Sequence, residues 1–482
     1  MDMTDTKDAY LAASIAAAPT ARIGRWQPTT LSLPIIIGVM QILDVVALVL
    51  TSWIIGSLSV SRLAEPLRLQ THVLTALLAA VATFYGLFRA GAYSPPRLKL
   101  MIPQIPAVAV ALLAGAVTML AALCLLQDTA SLPSVLVDWT LSCAVILIGL
   151  RLTFHTVIRH WSEAGVLAQR IAIIGDPAVS ARLLARLSES DDYRIIGLFN
   201  DLPANTLSQK SDSDLIEISK QTCLDGIVIA LPLSEVERIA RVRTAIASIV
   251  ADVYLVSDAL WLRHSSRTSD DLLIAVERPL KHWRALQKLV FDQIMAMLAL
   301  IALLPLLITI AILIKLDSPG PVFFRQPRIG FNNQTFRIYK FRTMYHHMAD
   351  LLADCQTTRG DARITPLGKW LRRFSIDELP QLLNVLQGDM SLVGPRPHAP
   401  NTKAAGKLFE AAVPGYAARH RVKPGITGWA QVNGWRGETQ TTEQIRKRVE
   451  LDLHYIQNWS LGLDVKILIL TIMREFVSPN AF

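Results

Sequence analysis

Cysteine is scarce in this chain. Cys124, Cys143, Cys223 and Cys355 are four in 482 residues, and no pair has the C-x-x-C spacing of a zinc or dithiol site. Packed thiols in a reducing compartment are the expectation. His346, His347, His398, His420 and His454 show no metal-ligand spacing either. Charged residues are thin, at 18%. Neither a G-x-G-x-x-G fingerprint nor a Tyr-x-x-x-Lys pair occurs, so a nucleotide-sugar oxidoreductase or dehydratase would lack its dinucleotide turn and its base. The N-terminus sets Asp2, Asp5 and Asp8 beside Lys7 with no compact apolar core, which makes a poor signal peptide. No nucleic-acid-binding module is recognisable, and nucleic acid is not an expected partner.

Apolar residues are abundant instead, at 52%, and the length allows about three domains. Four apolar runs, about 33–58, 73–93, 104–126 and 135–158, are long enough to cross a bilayer as helices. Arg22 and Arg25 precede the first, Arg89, Arg97 and Lys99 lie between the second and third, and Arg151, Arg159 and Arg170 end or follow the fourth. The third connector carries Asp128 and Asp138 without a cation, and only Arg62 and Arg68 run against the pattern. The positive-inside rule then places both ends of the bundle in the cytoplasm. Asp44, inside the first run, reads as a buried polar anchor with nothing nearby in sequence to pair with it.

Residues 168–262 read as α/β. Arg170–Gly175 is a buried strand entering a glycine turn, 177–190 is amphipathic, and further strands are expected at Tyr193–Phe199, Gly226–Leu231 and Asp252–Val256. This is Rossmann-like, but Gly175 is followed by Asp176, Pro177 and Ala178, so a structural or regulatory domain is favoured over a dinucleotide site. A linker is expected over 266–280.

A fifth apolar run, 289–316, has Pro305 at its middle and cations on both sides: Lys281, Arg284 and Lys288 before, Lys315, Arg325 and Arg328 after. Charge on both flanks predicts a re-entrant hairpin with Pro305 at its apex, against the alternative of a proline-kinked span. Beyond it, helices are expected near 366–374, 378–387 and 441–458. Leu461–Val477 reads as an interfacial helix.

The last third carries four polar clusters: Lys315–Gly330, Phe336–Met344, the Asp377-Glu378 pair with Gly394-Pro395-Arg396-Pro397, and Lys423–Gly437. In this order after a membrane hairpin, they resemble the catalytic domain of the bacterial polyprenyl-phosphate hexose-1-phosphate transferases. These are the monotopic phosphoglycosyl transferases, and the likeness is to their undecaprenyl-phosphate glucose phosphotransferases. The resemblance implies a fold of membrane α plus α/β: a four-helix transmembrane bundle (1–160), a Rossmann-like cytosolic domain (166–265) and a re-entrant-helix catalytic domain (281–482). It also implies a multi-pass protein of the bacterial inner membrane with its catalytic domain on the cytoplasmic face. The implied partners are a UDP-sugar, undecaprenyl phosphate, inner-membrane lipids and a second copy in a homodimer.

By the same resemblance Asp377 is the nucleophile, forming an aspartyl-phosphosugar while UMP leaves. Asp377 and Glu378 are the candidate ligands of Mg2+, which favours one or two carboxylates plus substrate phosphates. A helix N-terminus would keep Asp377 ionised. Ser375-x-x-Glu378 also fits a capping box, leaving open that Glu378 holds a helix start. Arg396, fixed between two prolines, is pre-positioned for phosphate oxygens. Lys340 and Arg342, at i and i+2, share a face of an extended stretch. With Arg325 and Arg328 they are candidate substrate contacts, some of which face headgroups instead. Gly425 and Gly428 beside Trp429 and Gly434 suggest a loop for the uracil or sugar, or equally a turn-rich packing element. A non-catalytic regulator of polysaccharide export is the other class kept open.

Overall fold

A computed structural model describes residues 32–61, 66–98, 100–126, 132–188, 192–200, 215–219, 221–256, 272–348, 361–400, 402–404, 407–413, 415–435 and 441–477. Arg22, Arg25, Arg62, Lys99, Asp128, Cys355, Arg436 and Gly437 lie outside them. Two compact units emerge, one of Pro28–Ala168 and one carrying Gln169–Phe482.

In the first unit the apolar runs become α1 (Leu33–Ser61), α2 (Pro66–Arg89), α4 (Gln104–Leu125) and α5 (Leu132–Glu163), with a short α3 (Pro95–Leu98) between. All four long helices are apolar enough to cross a membrane. α1 packs on α2, α2 on α4, α4 on α5, and α5 back on α1. Gly115 permits the closest approach, since a Cβ there would lie 2.0 Å from Thr83 Oγ1 and 2.8 Å from the Trp139 ring.

Asp44 is buried, as expected of an anchor, and its partners come from far along the chain. Arg151 donates to both its oxygens, at 2.8 and 3.2 Å, and Tyr93 OH adds a third bond at 2.7 Å. Arg151 is therefore an interior cation and not a flanking charge. Breaking one side of such a pair leaves a buried charge uncompensated, which costs about 3–5 kcal/mol. Arg151→Met is expected to destabilise the detergent-solubilised protein by about that amount, and the double variant Asp44→Leu/Arg151→Met to recover most of it. Thermal unfolding of the three proteins checks this.

The second unit opens with a five-stranded sheet of order β2-β1-β3-β4-β5: β1 Gln169–Gly175, β2 Tyr193–Asn200, β3 Gly226–Ala230, β4 Asp252–Val256 and β5 Leu272–Val276. The first four pair parallel and β5 joins antiparallel at the edge. Thus 272–276, expected as linker, is an edge strand paired with β4, and Val276 packs against the core. α6 (Pro177–Leu187) follows β1, and Asp176 caps it by accepting from the Ala178 and Val179 amides. Gly175 stands at φ 147°, and a Cβ would lie 2.2 Å from the Ala230 carbonyl. That glycine serves strand packing, and the chain's own carboxylate occupies the amides where a pyrophosphate would sit.

The fifth apolar run forms one helical segment, α7 (His282–Asp317), running through Pro305 without an intervening loop. The hairpin expectation is corrected to that extent: the proline lies inside a continuous helix. Both ends of α7 are tied to the same core. At the N-terminal end Lys288 bridges Asp292 (3.0 Å) and Asp464 (2.8 Å), while Asp292 accepts from Ser391 Oγ at 2.7 Å. Asp464 also takes Tyr455 OH and Trp459 Nε1. Lys288, one of the cations flanking the fifth apolar run, and Asp464, in the helix expected to be interfacial, are buried. At the far end Arg342 donates to the carbonyls of Ile314, Ser318 and Pro319.

The remaining elements are β6 (Phe323–Ile329) and β7 (Thr335–Phe341), an antiparallel pair, then α8 (Pro366–Arg373) and α9 (Gln381–Gln387). β8 (Ser391–Val393) pairs parallel with β9 (Gly425–Thr427). α10 (Thr442–Gln457), capped by a Thr441/Gln444 box, and α11 (Leu461–Val477) close the fold. α11 buries Ile467 in the core and exposes Val465, Ile469, Ile472 and Met473 on its other side.

Candidate active site

α8 begins at the Thr365 cap and ends at Arg373. Ser375 then adopts φ 54°, a left-handed reversal that non-glycine residues rarely make, and the chain enters a single 3-10 turn over Ile376–Glu378. The Ser375 side chain makes no cap bond, so the capping-box reading fails. A one-turn 3-10 segment also has no helix dipole to hold Asp377 ionised.

Glu378 is held by cations. Lys340 Nζ reaches Oε1 at 2.8 Å, and the Arg396 fork spans both oxygens. Lys340 projects from β7, which Asn384 fixes by accepting from the Tyr339 amide at 2.9 Å and donating to Arg337 O at 2.8 Å. Arg396 follows β8 on a loop whose geometry glycines set. A Cβ on Gly425 would lie 2.0 Å from Gly394 N, and one on Gly428 2.3 Å from Gly394 O. Gly425 N donates to Pro395 O and Gly394 N to Thr427 O. Gly425 and Gly428 therefore serve backbone packing beneath Arg396, and nothing in their placement makes them substrate contacts.

Asp377 is buried, and among the described residues no side chain hydrogen-bonds its carboxylate. Burial pushes its pKa up; Lys340, Arg372 and Arg396 pull it down, and Glu378 adds to the rise. Arg372, which sequence reasoning missed, donates Nε to Thr343 Oγ1 at 2.9 Å and acts on Asp377 from the last turn of α8. Its only signal in the sequence is a position five residues before Asp377. Arg328 donates to Gln326 Oε1 at 2.6 Å; burial first and then Arg396 push its pKa down to about 10, while Glu378 opposes them. Four cations thus act around two carboxylates, an excess that suits a diphosphate.

Two predicted contacts are not brought to this cluster. Arg342 lies just past β7 and its guanidinium closes the C-terminal end of α7, so the shared-face expectation ends where the strand does. Arg325 is exposed and stacks over Tyr339 at 5.0 Å.

Among the described residues no side chain hydrogen-bonds the Asp377 oxygens, which leaves them to a hard cation, whereas Glu378 as placed is neutralised by Lys340 and Arg396. Among the described residues no group of three metal-ligating side chains forms. The arrangement fits magnesium held by Asp377 and substrate oxygens, with Glu378 as the holder of the two cations.

A raised Asp377 pKa has a kinetic consequence. The ionised carboxylate is lost as pH falls through that value, so a reaction that uses it ionised is expected to show an acid limb of kcat/KM above the ordinary aspartate value of about 3.9. Lys340→Met removes the largest lowering influence and should move the limb further up; an unmoved or lowered limb contradicts the assignment.

The bacterial sugar transferase family matches residues 283–478. An undecaprenyl-phosphate glucose phosphotransferase of Komagataeibacter xylinus is 45% identical over 66% of this chain, which spans 60% of that protein's length. UDP-glucose:undecaprenyl-phosphate glucose-1-phosphate transferases of Escherichia coli (strain K12) and Xanthomonas campestris pv. campestris are 37% and 36% identical, over 65% and 71% of this chain and 68% and 74% of theirs. The chain belongs to the bacterial sugar transferase family. That is the polyprenyl-phosphate hexose-1-phosphate transferase family which the motif clusters of the last third resemble. A second family, described as a CoA-binding domain, matches residues 88–257. At its β1–α6 turn this sugar transferase offers no free amides to a pyrophosphate, because Asp176 fills them.

Proposed function

We propose that this sugar transferase moves glucose-1-phosphate from UDP-glucose to undecaprenyl phosphate at the bacterial inner membrane, beginning exopolysaccharide or O-antigen assembly. One observation carries the reading: a buried carboxylate that no described side chain hydrogen-bonds, ringed by Lys340, Arg372 and Arg396, beside a second carboxylate that two of those cations hold in place.

Asp377 attacks the sugar-linked phosphorus, forming an acyl-phosphate bond as the phosphoanhydride bond to UMP breaks. Arg396, Lys340 and Arg328 offset the negative charge on the diphosphate oxygens. An oxygen of undecaprenyl phosphate then attacks the same phosphorus, and the Asp377 carboxylate leaves regenerated. Magnesium bound by Asp377 and the diphosphate would supply further charge neutralisation.

α7 supports the membrane placement. Its middle is exposed and apolar, including Met297, Leu298, Ile301, Ile308 and Ile312, while Asp292 and Ile314 are both fastened to one catalytic core. A helix bent at Pro305 that enters and leaves by the cytoplasmic face satisfies both facts. The outward apolar side of α11 would rest on the same surface, and α1, α2, α4 and α5 would span as a four-helix bundle. The family resemblance supports a homodimer.

UMP release from a panel of UDP-sugars, with undecaprenyl phosphate and magnesium, tests the reading. UDP-glucose is expected to be the best donor; no release from any donor would overturn the function.

A further inference from the structure

The α/β sheet and the carboxylate pair share one compact unit, and Arg421 lies where they meet. Its Nη2 donates to the carbonyls of Ala251 at 3.3 Å and Glu277 at 3.2 Å, beside β4 and β5. A second tie runs from Asn332 Nδ2 to Ser219 O at 2.8 Å. Asn332 and Asn333 both stand in the left-handed region, at φ 53° and 55°, which asparagine tolerates better than most residues. Asn333 Oδ1 meets His420 Nδ1. The His420 ring stacks on His398 with 5.3 Å between centroids, and Tyr416 OH lies 3.0 Å from His398 Nδ1.

Arg419, in the same turn, closes the path to the active site. It donates to Tyr416 OH at 2.6 Å, pairs with Asp452 at 2.6 Å, and donates Nη2 to the carbonyl of Arg396 at 2.9 Å. Burial, with Arg419 beside it, pushes His420 down to about 3, and burial pushes His398 well below its usual range. Both rings are neutral pieces of packing.

We propose that the α/β domain is a brace for Arg396. Its carbonyls at Ser219, Ala251 and Glu277 fix the turn Tyr416–Arg421 and the Asn332–Asn333 loop. That turn fixes Arg419, and Arg419 fixes the backbone from which Arg396 reaches Glu378. The docking ligands are neutral carbonyls, so the guanidinium fork of Arg421 contributes direction more than charge. Arg421 and Asn332 are positioning residues. The proposal rests on Arg396 belonging to the active site described above, but it can be read without turnover.

The experiment is amide hydrogen exchange on the full-length protein in nanodiscs, comparing wild type with Arg421→Ala and, independently, Asn332→Gly, which keeps the positive φ. The amides of Gly394, Arg396 and His398 are expected to exchange roughly tenfold faster in both variants, with β1 and α10 unchanged. No change at 394–398, or acceleration spread over the whole unit, overturns the brace. Should Arg421→Ala fail to fold, Arg421→Lys and Asn332→Gly carry the same comparison. Turnover adds a coupling test: Arg421→Ala is expected to slow UMP release roughly tenfold in the wild-type background and far less in an Arg396→Lys background. Additive losses overturn the proposal. Failure of wild type to release UMP bears on the function alone, and the exchange pattern on the brace alone.

Discussion

Asp377→Asn is expected to slow UMP release by about 10⁴-fold or more while the protein keeps its fold. The amide is nearly isosteric, so Lys340, Arg372 and Arg396 lose a charge to act on but no packing partner. Among the described residues no side chain hydrogen-bonds the Asp377 carboxylate, so the substitution breaks no bond of the folded state. Removing a buried carboxylate whose pKa burial raises should even stabilise the protein slightly, because an amide carries no charge to desolvate. A large loss of rate with an unchanged or higher melting temperature is therefore the signature of a nucleophile. A comparable loss accompanied by unfolding would point to a structural role.

Glu378→Gln is expected to slow the same step by about 10²–10³-fold, with a smaller change in KM. Its carboxylate accepts from Lys340 and Arg396 Nη2 on Oε1 and from Arg396 Nη1 on Oε2; glutamine removes the charge, and its NH2 cannot accept from Nη1. The released cations would turn to Asp377 and hold the nucleophile as an ion pair. Glu378→Asp keeps the charge one methylene short and should recover part of the rate. If Glu378 were only a helix cap, the loss would be about 1 kcal/mol of stability with the rate intact. Single-turnover UMP release and thermal unfolding of the three proteins separate these outcomes.

The parts of this protein legible in its sequence are those with a local period or a crowded motif. β1 to β4 follow from short β-branched runs between turn residues, and the long helices follow from uninterrupted apolar runs. Asp377, Glu378, Lys340 and Arg396 stand in dense polar clusters, and the structure gathers them around one point. Pairings across long separations left no such trace. Asp44 and Arg151 lie 107 residues apart, and each alone reads as an anchor or a flanking charge. Lys288 and Asp464 are similar: one reads as a flanking cation and the other as a charge on an interfacial helix, and only the fold brings them to 2.8 Å. Arg342 shows the limit of strand periodicity. Two residues from Lys340 it should share a face, but β7 ends at Phe341, and the nearest acceptors are the open carbonyls at the end of α7. The capping box failed because Ser375 takes a left-handed conformation that no local preference for serine foretells.

The glycines carry a related lesson. Gly425 and Gly428 sit in a motif that suggests a substrate loop, yet they are small because the Gly394 backbone lies against them. Their service to the site is indirect, through the position of Arg396.

The most direct test of the central claim is to mix the protein with UDP-glucose labelled in the sugar phosphate, without lipid acceptor, and follow the label into protein. The account predicts a stoichiometric burst of UMP with the label bound at Asp377, chased to lipid on adding undecaprenyl phosphate, and no labelling of Asp377→Asn. Transfer to lipid without any protein-bound label, or label on a residue other than Asp377, would contradict it.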